Sequence, residues 1–228
     1  KKNNLILIED AAEAHGQNES GLKCGSFGKV STMSFYANKH ITTGEGGAIL
    51  TNSREKYNLA NQIINLDFTN KSRFKHKNFY WNYRLGGMQA SLGISQLNKL
   101  EKTIKNKITQ GAYYNVLLED HKDKISLQPM MKDMTKNHFW VFGVLLNKQN
   151  KRDKVMEKLL DKKIETRPFF WPLHLQPALG DMYKSKVKKL KISENLGKNG
   201  LYIPIGTHVS KQDQEFIIDS LLSIIEST

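Results

Sequence analysis

Lys39 lies between a short apolar run, Val30 to Tyr36, and a glycine-rich stretch, Gly44-Glu-Gly-Gly47. A brief apolar run bounded by turn residues reads as a buried strand. The glycines at 44, 46 and 47 allow a tight connection to a following strand, Gly47 to Thr51. Upstream, Leu5 to Ile8 reads as a second buried strand and ends in Glu9-Asp10-Ala-Ala. Strands whose carboxyl ends carry an aspartate and a lysine predict an α/β sheet with a ligand crevice at that end. A lysine amine forms Schiff bases with aldehydes, and a carboxylate keeps a pyridinium nitrogen protonated, which are the two needs of pyridoxal 5'-phosphate (PLP). The turn is not a nucleotide P-loop, because the lysine precedes the glycines instead of following them.

The rest of the chain supplies two modest domains. Residues 53 to 66 read as a helix with Asn52 or Ser53 as its cap. From Met88 onward, Leu92, Leu97, Leu100, Ile104 and Ile108 suggest one long helix leading into a second domain. A loop is expected over 68 to 81 and a polar stretch over 120 to 137. An apolar strand, Phe139 to Leu146, follows, with Val141, Val144 and Leu146 on one buried face. Lys151 to Leu160 reads as helical, Lys163 to Phe170 as extended, and Asp213 to Ile225 as a final amphipathic helix. This order suits a small α/β domain, with the expected division at residues 1–110 and 111–228.

The balance of 35 basic against 22 acidic residues gives +13, but only five of the basic residues are arginine. No basic block is interleaved with aromatics, so the excess reads as solvated helix faces rather than a nucleic-acid interface. A positive field of this kind also favours an anionic substrate. Cys24 is the only cysteine, which excludes an intramolecular disulfide and fits a cytoplasmic setting; it reads as a packed thiol rather than a nucleophile. No apolar run approaches the roughly 20 residues of a membrane span. The histidines at 40, 76, 121, 138 and 208 show no metal-ligand spacing.

Val30 to Asn52, together with Ile8-Glu-Asp-Ala-Ala-Glu-Ala-His-Gly16, resembles the DegT/DnrJ/EryC1/StrS family of PLP-dependent nucleotide-sugar aminotransferases. Asn82-Tyr-Arg84, Trp140-Val-Phe and Thr166-Arg-Pro-Phe-Phe-Trp-Pro-Leu-His-Leu-Gln-Pro177 agree with it in the same order. The resemblance implies the PLP-dependent transferase fold of type I, represented by the C-terminal part of the large domain and the small domain. The family's N-terminal portion has no counterpart, so the chain is expected to be an excerpt or broken product of a longer one.

The same resemblance implies roles for individual residues. Lys39 matches the Schiff-base lysine, for which arginine is no substitute because it does not give up its proton. Asp10 matches the pyridine-nitrogen contact; its alternative is to cap a helix over Ala11 to Ala14. Glu13 matches a position over the cofactor ring, or is a solvated helix acid. Ser34 matches a phosphate ligand, or is a strand serine bonded to backbone. Asn82 matches a residue that reaches the phosphate of a neighbouring subunit's cofactor, which implies a homodimer with shared sites; Arg84 assists that anion or pairs with a carboxylate. Arg167 and His174 match the border of the sugar-nucleotide pocket, His174 having a structural alternative.

The implied reaction moves an amino group from glutamate to a 4-keto-6-deoxy nucleotide-sugar for a surface glycan such as O-antigen. Rival readings are amination at another carbon or on another nucleotide, and a non-catalytic fragment. The dehydratase branch of the family carries histidine in place of the lysine, and Lys39 speaks against it.

Overall fold

The computed structural model describes residues 3–69, 73–132, 135–180 and 189–228. The chain divides into two compact units, residues 1–105 with 131–140, and residues 106–130 with 141–228. No helix among the described residues is long and apolar enough to cross a membrane.

The first unit begins with β1 (Ile8–Asp10), followed by the hairpin of β2 (Asn18–Glu19) and β3 (Leu22–Lys23), then β4 (Val30–Ser34) and β5 (Gly47–Leu50). The sheet order is β1-β4-β5. β1 runs parallel to β4, with Asp10 opposite Thr32, and β5 runs antiparallel to β4, with Gly47 opposite Ser34. The carboxyl ends of β1 and β4 therefore lie side by side. The glycine connection is required by sterics. A Cβ on Gly47 would lie 2.6 Å from the Met33 carbonyl oxygen, and one on Gly46, at φ +141, would lie 2.8 Å from Thr43 Oγ1.

The run Leu5 to Ile8 departs from expectation. Only Ile8 of the four belongs to a strand, and these side chains are 57% to 79% exposed. Among the described residues β1 pairs with β4 alone, so apolar composition specifies an extended chain here without supplying a cover for it. The segment after Asp10 also forms turns instead of a helix.

α1 (Arg54–Ile64) starts at Ser53, whose hydroxyl accepts from the Lys56 N–H at 3.4 Å. The single long helix expected from Met88 is two helices, α2 (Gly87–Leu97) and α3 (Leu100–Leu117). The break falls at Asn98 and Lys99, between two apolar residues, Leu97 and Leu100, whose spacing suits an unbroken helix. At the break the Lys99 N–H donates to the Gln96 carbonyl at 2.9 Å, a tighter turn than the α-helix allows. The division between the units falls inside α3, between Lys105 and Asn106; residue 110 lies in the same helix. Within the stretch 68 to 81, residues 70–72 lie outside the described residues. The remainder carries no helix and only an isolated bridge residue, Thr69.

The polar stretch 120 to 137 holds more structure than its composition suggests: β6 (Ile125–Leu127), β7 (Met131–Lys132) and β8 (Thr135–Lys136). In the second unit, β9 (Phe142–Leu146), β10 (Arg167–Pro168) and β11 (Gly200–Ile203) join β6 in an antiparallel sheet ordered β10-β11-β9-β6. β9 is central and buries both of its faces, where one buried face is expected from the sequence. α4 (Arg152–Asp161) contributes Val155 and Leu159 to this core, and the C-terminal helix Lys211–Glu226 contributes Ile217, Ile218, Leu221 and Ile224. Each such side chain, fully withdrawn from water, stabilises the unit by about 1.5–3 kcal/mol before entropy is counted. Of the expected extended stretch Lys163 to Phe170, only Arg167–Pro168 is a strand. The helix Lys191–Asn199 and β11 carry no signal used in the sequence reading.

Candidate functional site

Lys39 is placed by its loop. The Lys39 N–H donates to the Tyr36 carbonyl at 3.0 Å, and the Phe35 carbonyl accepts from Thr43 N–H at 2.9 Å. Gln96 of α2 clamps the far side of the loop: its amide nitrogen donates to the Thr42 carbonyl at 2.6 Å, and its amide oxygen accepts from Thr42 N–H at 3.1 Å. The Lys39 side chain is only 9% exposed. Its Nζ lies 3.2 Å from Glu13 Oε1 and 3.9 Å from the centroid of the Trp140 ring. The Trp140 indole N–H donates to the Asn38 carbonyl at 3.0 Å. One tryptophan therefore engages both the lysine side chain and the backbone preceding it.

Glu9 and Asp10 show how adjacent acids separate. Successive strand residues point to opposite faces. Glu9 accepts from the backbone N–H groups of Gly25, Phe27 and Gly28 at 2.6, 2.9 and 3.1 Å, and from the Ser31 hydroxyl at 2.9 Å. The Gly25 amide, with help from Ser31, Gly28 and Phe27 against the opposing effect of burial, holds its carboxyl below the usual range. Glu9 is the structural acid that ties the 25–28 loop to the sheet.

Asp10 accepts from Ala12 N–H at 3.0 Å and from the Thr32 hydroxyl at 3.4 Å, both at Oδ1. Among the described residues no hydrogen bond reaches Oδ2. The capping role and a ligand-facing role, which appear exclusive from the sequence, thus fall on different oxygens. The capped element is a turn, not the expected helix. Ser34 follows Thr32 by two residues and shares its face of β4. Its Oγ accepts from Tyr36 N–H at 3.3 Å, and among the described residues no acceptor is recorded for its O–H.

His15, unremarked in the sequence reading, is 2% exposed beside this loop. It stacks on Phe35 with 6.0 Å between centroids and meets His40 edge-on at 6.2 Å. Burial, and then the Lys39 charge, push its imidazole below the usual range against the opposing Ser34 backbone. Burial likewise lowers His138, whose carbonyl lies 3.3 Å from His40 Nε2. Two imidazoles of this unit, His15 and His138, thus favour the neutral form.

Asn82 forms an isolated bridge with Asn65. Its Oδ1 accepts from Arg84 Nε at 2.8 Å, and among the described residues no acceptor is shown for its amide NH2 on this exposed segment. The loop before it is anchored at Asp67, whose carboxylate accepts from Lys77 N–H, Asn78 N–H and the Asn78 and Gln62 amides. Burial would raise Asp67, but these donors outweigh it and hold the carboxyl at about 2.

The remaining two candidates belong to the second unit. Arg167 is exposed and ion-paired with Glu165. His174 Nε2 lies 3.3 Å from Glu194 Oε1, which also accepts from Leu190 N–H at 2.9 Å. The His174 contact, followed by the opposing effect of burial, leaves Glu194 below its usual range. Cys24 is half-buried, and burial, with the charges of Glu9 and Glu19, pushes its thiol up, away from nucleophilic character.

The family model of the DegT/DnrJ/EryC1/StrS aminotransferase family matches residues 1–222. A GDP-perosamine synthase of Escherichia coli O157:H7 is 33% identical over 225 residues, covering 97% of this chain and 58% of its own length. A solved DegT DnrJ EryC1 StrS aminotransferase from Brucella abortus is 26% identical, with a TM-score of 0.82 over 97% of this chain and 58% of that one. An E. coli GDP-4-keto-6-deoxy-D-mannose-3-dehydratase solved with bound hydrated PLP shares the fold, at 24% identity and TM-score 0.83 over 96% of this chain and 60% of that one. The chain therefore spans about three-fifths of the length of the relatives it matches.

Proposed function

This chain belongs to the DegT/DnrJ/EryC1/StrS aminotransferase family, and on that premise we propose that its site serves PLP-dependent transfer of an amino group from glutamate to a 4-keto-6-deoxy nucleotide-sugar. The observation that carries the reading is the Lys39 amine, 9% exposed and held between a carboxylate and an indole ring just beyond β4. The donor set fits the cofactor: an amine, an Asp10 carboxylate oxygen that no hydrogen bond reaches among the described residues, and a Ser34 hydroxyl with its proton to give. When bound, PLP supplies an aldehyde for covalent attachment and a ring that withdraws electrons from the donor carbon.

In this reading Lys39 Nζ holds the cofactor covalently and, once released, carries a proton to or from the donor carbon. Asp10, through Oδ2, would hold the ring nitrogen and keep it protonated. Ser34 donates to the phosphate. Glu13 would orient the Lys39 amine whenever it is free of the cofactor. The exposed Asn82 amide is assigned to the cofactor phosphate of a second subunit in a homodimer, a reading supported by the exposed Trp81 and Tyr83 on either side of it. Arg167 and His174 are assigned to the substrate with less support, since each already holds an acidic partner.

The GDP-linked sugar is preferred on the perosamine synthase likeness, with other nucleotide-sugars as the alternative, and the product would feed a surface polysaccharide or lipopolysaccharide. The test is to mix the chain with PLP, reduce with borohydride and map the modified peptide. Label at Lys39 alone, lost in Lys39→Arg, is expected. Label scattered over the lysines, or none, overturns the reading for this chain. A labelled chain is then offered GDP-4-keto-6-deoxy sugar with glutamate, and failure on that sugar alone rejects only the substrate assignment.

A further inference from the structure

We propose that Trp140 is a positioning residue for Lys39: its ring face holds the lysine as an ammonium ion while its N–H fixes the backbone at Asn38. The proposal deepens the aminotransferase reading, because the population of free amine at Nζ governs how readily the lysine attaches to an aldehyde. Two features of one side chain carry it. The Nζ lies 3.9 Å from the ring centroid, well inside the roughly 6 Å within which a cation is attracted to an indole face. The indole N–H, 3.0 Å from the Asn38 carbonyl, holds the peptide that leads into Lys39 and so keeps ring and ammonium in register.

Glu13 approaches the same nitrogen at 3.2 Å. The ammonium is therefore contacted by a carboxylate and a π-face, and both attract it only while it is charged. The neutral amine gains little from either. With the side chain 9% exposed, water competes weakly for that cation. The His15 imidazole, pushed below its usual range by burial and then by the Lys39 charge, favours the neutral form and so adds little opposing charge. Trp140 thus restrains the reactivity of Lys39 until Nζ gives up a proton and leaves the ring face as the neutral amine, the form that attacks an aldehyde.

The test is trace acetylation of the full chain, freed of any bound aldehyde, with Lys39 read by peptide mass mapping against the other lysines. Removal of the ring in Trp140→Leu should speed labelling of Lys39 about three- to tenfold near pH 8, the range expected for a cation–π contact at a partly buried site. The excess should narrow as the pH rises and the amine becomes neutral in both proteins. Trp140→Phe, which keeps a ring and loses the N–H, should lie between parent and leucine variant.

An excess that is the same at every pH would mean that the leucine variant merely uncovers Lys39, and would overturn the proposal, as would no excess. Should Trp140→Leu fail to fold, replacement of the tryptophans by fluorinated tryptophan keeps shape and N–H while draining the π-face. Labelling of Lys39 must then rise with fluorine content, and a flat series overturns the proposal. The labelling uses no cofactor, so its failure is distinct from a failure of Lys39 to take PLP.

Discussion

The two units hold themselves together in different ways. The second has a core of its own: Phe142, Val155, Leu159, Leu201 and Leu221 are 0% exposed, and Tyr114 packs on Phe142 at 4.8 Å between centroids while its hydroxyl donates to the Pro204 carbonyl at 2.7 Å. The first contributes little to the buried apolar set beyond Ala11, Ile41, Ile104 and Phe139, and much of its polar chemistry is buried: His15, Ser31, His40, Thr43 and Asp67. Its order comes from carboxylates and amides that gather loops, at Glu9, Asp67 and Gln96. Its apolar side chains at Leu5 to Ile8, on α2 and around Trp81 are largely exposed. A region organised by directed hydrogen bonds positions chemistry well and resists unfolding poorly; a region organised by burial does the reverse.

The largest expected effect breaks this contrast directly. Leu221→Ala, in the second unit, should cost about 2–5 kcal/mol, the usual range for emptying a filled core site. Ile6→Ala, at 77% exposure in the first unit, should stay within about 0.5 kcal/mol. Urea unfolding followed separately in each unit is the measurement. A comparable loss at Ile6 would mean that the edge of the first unit is covered in solution.

Part of this contrast is legible in the sequence, and part is not. Lys39 and its glycine connection are local: the strand, the lysine and the crowded Gly46 and Gly47 lie within one short stretch, so spacing alone locates them. Trp140 is about 100 residues away in sequence, and nothing local marks its ring as a partner for Lys39. Glu9 and Asp10 both read as acids at a strand end, and only the pleat turns one to the 25–28 loop and the other to the opposite face. Leu5 to Ile8 reads as buried because an apolar run reports preference for a cover rather than its presence. β11 escapes notice because Gly200-Leu-Tyr-Ile203 is too short for periodicity to register.

Acid should separate the units next. Asp67, held at about 2 in the folded chain, and Glu9, lowered chiefly by the Gly25 amide, are both depressed carboxylates. Their stabilisation is complete above the ordinary carboxylate range and fades as the pH falls below it, for Asp67 from about 4 toward 2. His15, depressed by burial, acts in the same direction at higher pH, with its contribution declining once the pH drops below the usual histidine value of about 6.5. Hydrogen exchange around Asp67 and in the 24–40 segment should therefore quicken on acidification before the sheet of the second unit responds, because that unit's depressed carboxylates, Glu194, Asp213 and Glu226, lie on helices outside the sheet. Asp67→Asn should remove the acid dependence of the first segment, and equal responses in both units would dissolve the distinction.

The smallest effect compares like with like, a serine cap in each unit. Ser210 and Asp213 form a reciprocal cap: the Ser210 hydroxyl accepts from Asp213 N–H at 3.1 Å, and Asp213 Oδ2 accepts from Ser210 N–H at 2.8 Å. The helix it starts buries Ile217, Ile218, Leu221 and Ile224, so fraying there is felt by the core. Ser53 makes a single longer contact of 3.4 Å to Lys56 N–H, at the start of a helix with no buried residue. Ser210→Ala should cost about 1 kcal/mol and Ser53→Ala a few tenths, at the low end of the range for caps. The ratio matters more than either value. If the two substitutions cost the same in thermal unfolding, cap strength is a property of the helix end alone; the expected inequality would mean that a cap stabilises in proportion to the burial its helix carries.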